Sequence, residues 1–189
     1  MKNTSTAASP DVRRAFRESP LATVLATGFG SGFAPIAPGT AGSAVALAAA
    51  WLFARAVSPS PHMTSVVAAV GLLMSGLAIA LLAVPVVGRA AAAMGREDPG
   101  CIVLDEFAGQ LLASAVVPIF AYPTPGAAAA AWLVSFLAFR LFDVWKPGPI
   151  RGWQALPGGW GIVVDDVAAG VLAAGVTSAV AAVISSRPA

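Results

Sequence analysis

The sequence predicts an all-α membrane protein, a polytopic helical bundle of four to five spans with a Gly/Pro-rich segment ahead of the first. Three observations carry this. Of 189 residues, 58% are hydrophobic and 11% charged, against about 45–50% and about 25% in soluble domains, and mean hydropathy is +0.81. Four apolar runs, 64–87, 102–121, 126–142 and 162–184, approach the ~20 residues a spanning helix needs, with a shorter fifth at 40–57. The cationic residues divide very unevenly between the segments that join these runs.

In chain order, residues 1–23 form a polar arm carrying Arg13, Arg14 and Arg17. The stretch LATVLAT that follows these arginines is short and runs into Gly-rich sequence, so it reads as part of a mature arm or surface helix, not a signal peptide. Residues 24–184 form a single membrane-embedded domain and 185–189 a tail. The run 40–57 is rich in small residues, with Arg55 near one end where it can snorkel. The run 126–142 is also short; abundant Ala and Gly allow both to pack closely against neighbours.

With the N-terminus in the cytoplasm and five spans, Lys2, Arg13, Arg14, Arg17, Arg89, Arg96, Arg140, Lys146 and Arg151 lie inside, and Arg55 and Arg187 outside. That asymmetry follows the positive-inside rule. The same path gathers the acids. Asp105 and Glu106 open the third run, Asp143 closes the fourth, Asp165 and Asp166 open the fifth, and GFGSGFAPIAPGTAGS (28–43) precedes the first on that side.

A shift of sixty residues lays IVLDEFAGQLLASAV (102–116) over IVVDDVAAGVLAAGV (162–176), with Asp105 on Asp165 and Glu106 facing Asp166. Gly109 follows Asp105, and Gly170 follows Asp166, by one turn. Residues i and i+4 share a helix face, so another backbone can approach just below each carboxylate.

Converging carboxylates near lipid repel unless compensated, and a hard divalent cation such as Mg²⁺, with oxygen ligands and substrate phosphate, compensates them. Asp105, Glu106, Asp165 and Asp166 are the candidate ligands, with Asp143 next. Neighbours on a helix point about 100° apart, so all four need not meet one ion. The competing reading is helix-start stabilisation, which acids also provide. In FRLFDVWKPGPIRGWQALPGGWG (139–161), Pro147 turns Lys146 out of α geometry. Lys146, Arg140 and Arg151 beside Asp143 suit an anion held near a cation. Trp145, Trp153 and Trp160 suit interfacial anchoring. APGTAGS (37–43) places Thr40 and Ser43 at a helix start, where backbone N–H groups favour phosphate, though it lacks the lysine of a P-loop.

Other classes fall away. No basic patch with interleaved aromatics points to nucleic acid. His62, the single histidine, falls in the outer loop, which excludes histidine-dependent phosphatases and Ser-His-Asp hydrolases. Cys101, the single cysteine, has no histidine to activate it and reads as a small buried residue. A membrane cation transporter could use the same acids, but a charged relay would extend deeper than these pairs do.

The segments GFGSGFAPIAPGTAGS, DPGCIVLDEFAG, FRLFDVWKPGPI and LPGGWGIVVDDVAAG, in this order, resemble the phosphatidylglycerophosphatase A family over residues 24–176. The resemblance implies a bacterial inner-membrane, Mg²⁺-dependent lipid phosphatase that converts phosphatidylglycerophosphate to phosphatidylglycerol, with its site facing the cytoplasm. It marks Gly39, Thr40, Gly42 and Ser43, then Asp105, Glu106 and Gly109. It also marks Arg140, Asp143, Lys146 and Pro147, then Gly161, Asp165, Asp166 and Gly170. Gly148, Ala41 and Val163 depart from the family's frequent Trp, Trp and Met, and none of these changes removes a charge. In this reading Mg²⁺ sits on Asp105, Glu106, Asp165 and Asp166. Asp143 takes a proton and Lys146 neutralises phosphate charge; the residues leave open whether water or a carboxylate attacks first.

Overall fold

The computed structural model describes residues 7, 9–58, 64–148 and 150–187, and among these it contains helices and no strand. Lys2 and His62 lie outside the described residues. Two short helices, α1 (Pro10–Glu18) and α2 (Pro20–Ala26), each begin on a proline, whose missing N–H has no intrahelical partner at that position anyway. A 3₁₀ segment, Gly28–Phe33, leads to α3 (Pro38–Val57). There follow α4 (Val66–Met94), α5 (Leu104–Ser114), α6 (Pro125–Trp145), the single turn α7 (Ile150–Trp153) and α8 (Gly159–Ser185). Helices α3, α4, α6 and α8 are each long and apolar enough to cross a membrane. Even α3, with 20 residues, reaches about 30 Å.

The run at 102–121 is not one spanning helix. Helix α5 stops at Ser114 and a 3₁₀ turn, Val117–Ile119, follows. Pro118 is the reason: it offers no N–H to the Ser114 carbonyl, and its ring would press on that oxygen. Helix α5 is instead a central post around which α3, α4, α6 and α8 pack, with every residue from Ala108 to Ala115 buried. Together with the 3₁₀ turn it still carries the chain from one end of the bundle to the other. Asp105 shares a cavity with Ala91, Ala92 and Arg96 at the end of α4. At the opposite end, the Ser65 N–H before α4 donates to the Pro118 carbonyl (2.7 Å).

The packing inverts that of a water-soluble bundle. Ala50, Ala68, Ala131 and Ala181 lie in one buried cluster, while Leu52, Leu81, Leu82, Leu133 and Val171 point outward. Lipid tails solvate leucine as well as a protein core does, so helices gain by meeting through small residues. Gly109 and Gly170 mark one such close meeting. A Cβ on Gly170 would stand 2.5 Å from the Gly109 carbonyl, and one on Gly109 2.5 Å from the Asp166 carbonyl. The approach expected below each carboxylate is therefore the α5–α8 crossing itself.

The N-terminal arm is docked on the bundle. Val12 and Ala15 of α1 are buried against Ala93, Met94 and Cys101, and Arg14 Nε donates to the Ala93 carbonyl (2.8 Å). Cys101 is fully buried, with its Sγ 3.8 Å from Met94 Sδ.

Candidate active site

Asp105 and Glu106 occupy the first turn of α5, whose start at Val103 has no side-chain cap. The second acidic pair differs. Helix α8 begins at Gly159, a turn earlier than the apolar pattern suggests, because Gly159 and Gly88 let its start lie against α4. No acid stands in the first turn of α8, and the dipole's attraction fades beyond that turn. Helix-start stabilisation therefore does not account for Asp165 and Asp166.

Asp105, Glu106 and Asp166 are all buried, and each presents a carboxylate oxygen within 4.8 Å of the others. Asp166 Oδ2 is buried and has no hydrogen-bond partner among the described residues. The carboxylates of Asp143, Asp105 and Asp165 all act on Asp166 with like charge. Ligands on opposite sides of an Mg²⁺ ion with bonds of about 2.1 Å lie about 4.2 Å apart. In size, hardness and charge the three acids fit a divalent cation.

The first turn of α3 closes over this group. Any Cβ on Gly39 would collide with Glu106 Oε1, and it would stand 3.4 Å from Arg140 Nη1. Gly42 lies against Val103 in the same way. Ser43 Oγ donates to the Gly39 carbonyl (2.7 Å) and accepts from Arg140 Nη1 (3.3 Å). Thr40 is half-buried in the same turn.

A chain of alternating charge runs along the other side. Arg140 Nη1 donates to Asp143 Oδ2 (2.6 Å), Lys146 Nζ lies 3.9 Å from Asp143 Oδ1, and Lys146 pairs directly with Asp165. Gln154 Nε2 donates to Asp165 Oδ2 (3.0 Å), and the Asp166 N–H donates to Asp165 Oδ1 (3.1 Å). Asp165, expected beside Asp166 among the ion's ligands, is thus turned to Lys146 and Gln154. Lys146 ends α6 in the left-handed region (φ 47°, ψ 66°), and its N–H donates to the Phe142 carbonyl (2.8 Å). Pro147 after it forbids helical continuation. Burial of the Lys146 ammonium works against its charge, but Asp166, Asp165 and Asp143 outweigh that and hold its pKa above the usual lysine value.

A cavity of about 540 Å³ opens onto Asp105, Asp165, Asp166 and Lys146. Its other walls are Gln154–Gly158 and Gly161 on one side, and Gly88, Ala91, Ala92 and Arg96–Asp98 on the other. Arg151 is exposed on α7 and does not line it. Trp145, Trp153 and Trp160 are exposed, as interfacial anchors would be. Gln154 and the cavity-facing position of Arg96 have no signature in the sequence. Gln154 is a lone amide in a Pro/Gly-rich loop, and Arg96 reads there only as topological charge.

A family model described as Phosphatidylglycerophosphatase A matches residues 24–181. The protein of Escherichia coli (strain K12) named Phosphatidylglycerophosphatase A is 36% identical over 155 residues, 81% of this chain and 79% of that one. Its namesake from Haemophilus influenzae is 34% identical over 152 residues, 79% of this chain and 82% of the other. A Bacteroides thetaiotaomicron protein named "Putative phosphatidylinositol-3-phosphatase" is 33% identical over 155 residues, 82% of this chain and 90% of that one. No solved structure matches. With a family match over most of its length, and relatives at this identity across most of both chains, the chain belongs to the phosphatidylglycerophosphatase A family and is a phosphatase.

Proposed function

We propose that this enzyme hydrolyses phosphatidylglycerophosphate to phosphatidylglycerol and phosphate, with Mg²⁺, at the cytoplasmic face of a bacterial inner membrane. The observation that carries the reading is the buried Asp105–Glu106–Asp166 group, two members of which share a cavity with Lys146 at one end of a lipid-compatible bundle. Asp105, Glu106 and Asp166 would hold the Mg²⁺, which when bound polarises a phosphoryl oxygen and offsets the acids' charge.

The chain's own groups do the rest. Lys146, kept charged by its acidic neighbours, binds the phosphate, and Asp165 with Gln154 orients it. Asp143, whose carboxylate is steadied by Arg140, accepts a proton during the displacement. The first turn of α3, Gly39, Thr40, Gly42 and Ser43, brings backbone close to the site, and the N–H groups at its very start, which have no intrahelical acceptor, suit phosphate. Arg140 fixes that turn to α6 through Ser43, and Arg151 on α7 meets the headgroup outside the cavity. A site at the end of the bundle reaches the headgroup while the acyl chains stay in the bilayer.

The test is phosphate release from phosphatidylglycerophosphate by purified protein in mixed micelles, before and after chelation. Release with Mg²⁺ that stops on chelation and returns on re-addition is the expected result. No release from a folded preparation would end the substrate reading; release indifferent to chelation would end the Mg²⁺ reading.

A further inference from the structure

Arg96 takes no part in the chemistry above, yet it lines the same cavity as Asp105, Lys146, Asp165 and Asp166. It follows Gly95, whose left-handed backbone (φ 69°) terminates α4, so the chain turns there and Arg96 faces the cavity. Its Nε lies 3.3 Å from Asp11 Oδ2, with 35% and 22% of the two side chains exposed. Asp11 belongs to α1, fixed in place by buried Val12 and Ala15 and by Arg14 on the Ala93 carbonyl. Helix α1 precedes the segment that the family model matches.

The proposed lipid carries two phosphates: the terminal monoester, which leaves, and a diester, which stays. Lys146 and the acidic group serve the monoester. Arg96 is the other cationic residue lining the cavity, whose volume falls within the roughly 300–1,000 Å³ typical of ligand pockets. A guanidinium has five donors in a rigid fork, enough to hold a carboxylate and a phosphate oxygen together. We infer that Arg96 binds the diester phosphate of the substrate and that Asp11 of α1 positions it for this. The inference rests on the lipid-phosphatase reading and adds a second anion subsite and a role for the N-terminal helix.

The two reaction products separate the two subsites, and binding can be measured without turnover. Short-chain phosphatidylglycerol carries only the diester, and inorganic phosphate only mimics the monoester. In calorimetric titrations of the Mg²⁺-loaded full chain, Arg96→Gln weakens phosphatidylglycerol binding about ten- to hundredfold, the worth of a charged hydrogen-bond pair, and leaves phosphate binding unchanged. Arg96→Lys restores part of the affinity, and Asp11→Asn weakens phosphatidylglycerol binding by a smaller factor, again sparing phosphate. Unchanged phosphatidylglycerol binding in Arg96→Gln, equal weakening of both ligands, or no phosphatidylglycerol binding by the parent protein would overturn the inference. Phosphate release from the full substrate, measured alongside, reports separately on the activity itself.

Discussion

The pair Asp105–Glu106 and the pair Asp165–Asp166 are near-copies in sequence, on helices that leave the same end of the bundle in the same direction, yet the fold divides their labour differently. Both carboxylates of the first pair join the buried three-acid group. The second pair sends only Asp166 there, while Asp165 turns to Lys146 and Gln154. The offset is visible in the packing: a shift of sixty residues aligns Asp105 with Asp165, but Gly109 meets Gly170, so Asp166 takes the place opposite Asp105. One residue is about 100° of helix rotation, enough to move a carboxylate from the three-acid group to a lysine. Chemical identity thus leaves the role open; helix phase at the crossing decides it.

The largest expected effect breaks the comparison at its acidic centre. Asp166→Asn and Asp105→Asn should each lower kcat/KM by well over the about 10–100-fold that follows loss of a residue merely supporting a metal ligand, and should abolish the thermal upshift that the proposed Mg²⁺ site predicts for the parent. Near-parental activity with an intact Mg²⁺ upshift would remove either residue from the site.

Asp165→Asn should fall lower on the scale, about 10–100-fold in kcat/KM, with the Mg²⁺ upshift retained. It also carries a pH signature. The Lys146 pKa is raised in the fold, so its ion pairs stabilise the protein fully below the unfolded lysine value of 10.5. That contribution is lost as pH rises through the higher folded value. Without Asp165 that alkaline loss of thermal stability should be smaller and complete at lower pH; superimposable melting profiles from pH 8 to 11 would contradict the pairing.

The smallest effect sharpens the register. Gly170→Ala places a Cβ against the Gly109 carbonyl and should destabilise the bundle by about 1–3 kcal/mol, as overpacking does. Gly175→Ala, on the same helix with open space at its Cβ, should be neutral or slightly stabilising. Equal melting temperatures for the two variants would argue against the α5–α8 contact.

Much of this was legible in the chain. The long helices follow from apolar runs, and Pro147 forecasts the turn at Lys146. The small residues one turn below the acids forecast a close backbone approach. Less legible was the shortness of α5, although Pro118 is its cause. The early start of α8 was hidden too, because GGWG reads as loop until Gly159 is seen against α4. The docking of α1 was also hidden, since Val12 and Ala15 are too few to announce a buried face.

By itself the sequence determined where charge could go. Ionised groups are costly in hydrocarbon, so sparse acids at the ends of apolar runs had to collect at a membrane face, whatever the detailed packing. Only the tertiary structure decided which carboxylate faces which partner. That choice depends on the rotation of α5 against α8 and on backbones meeting at two glycines sixty-one positions apart. A local pattern of apolar and polar residues sets a helix's burial but leaves its phase against a distant neighbour open.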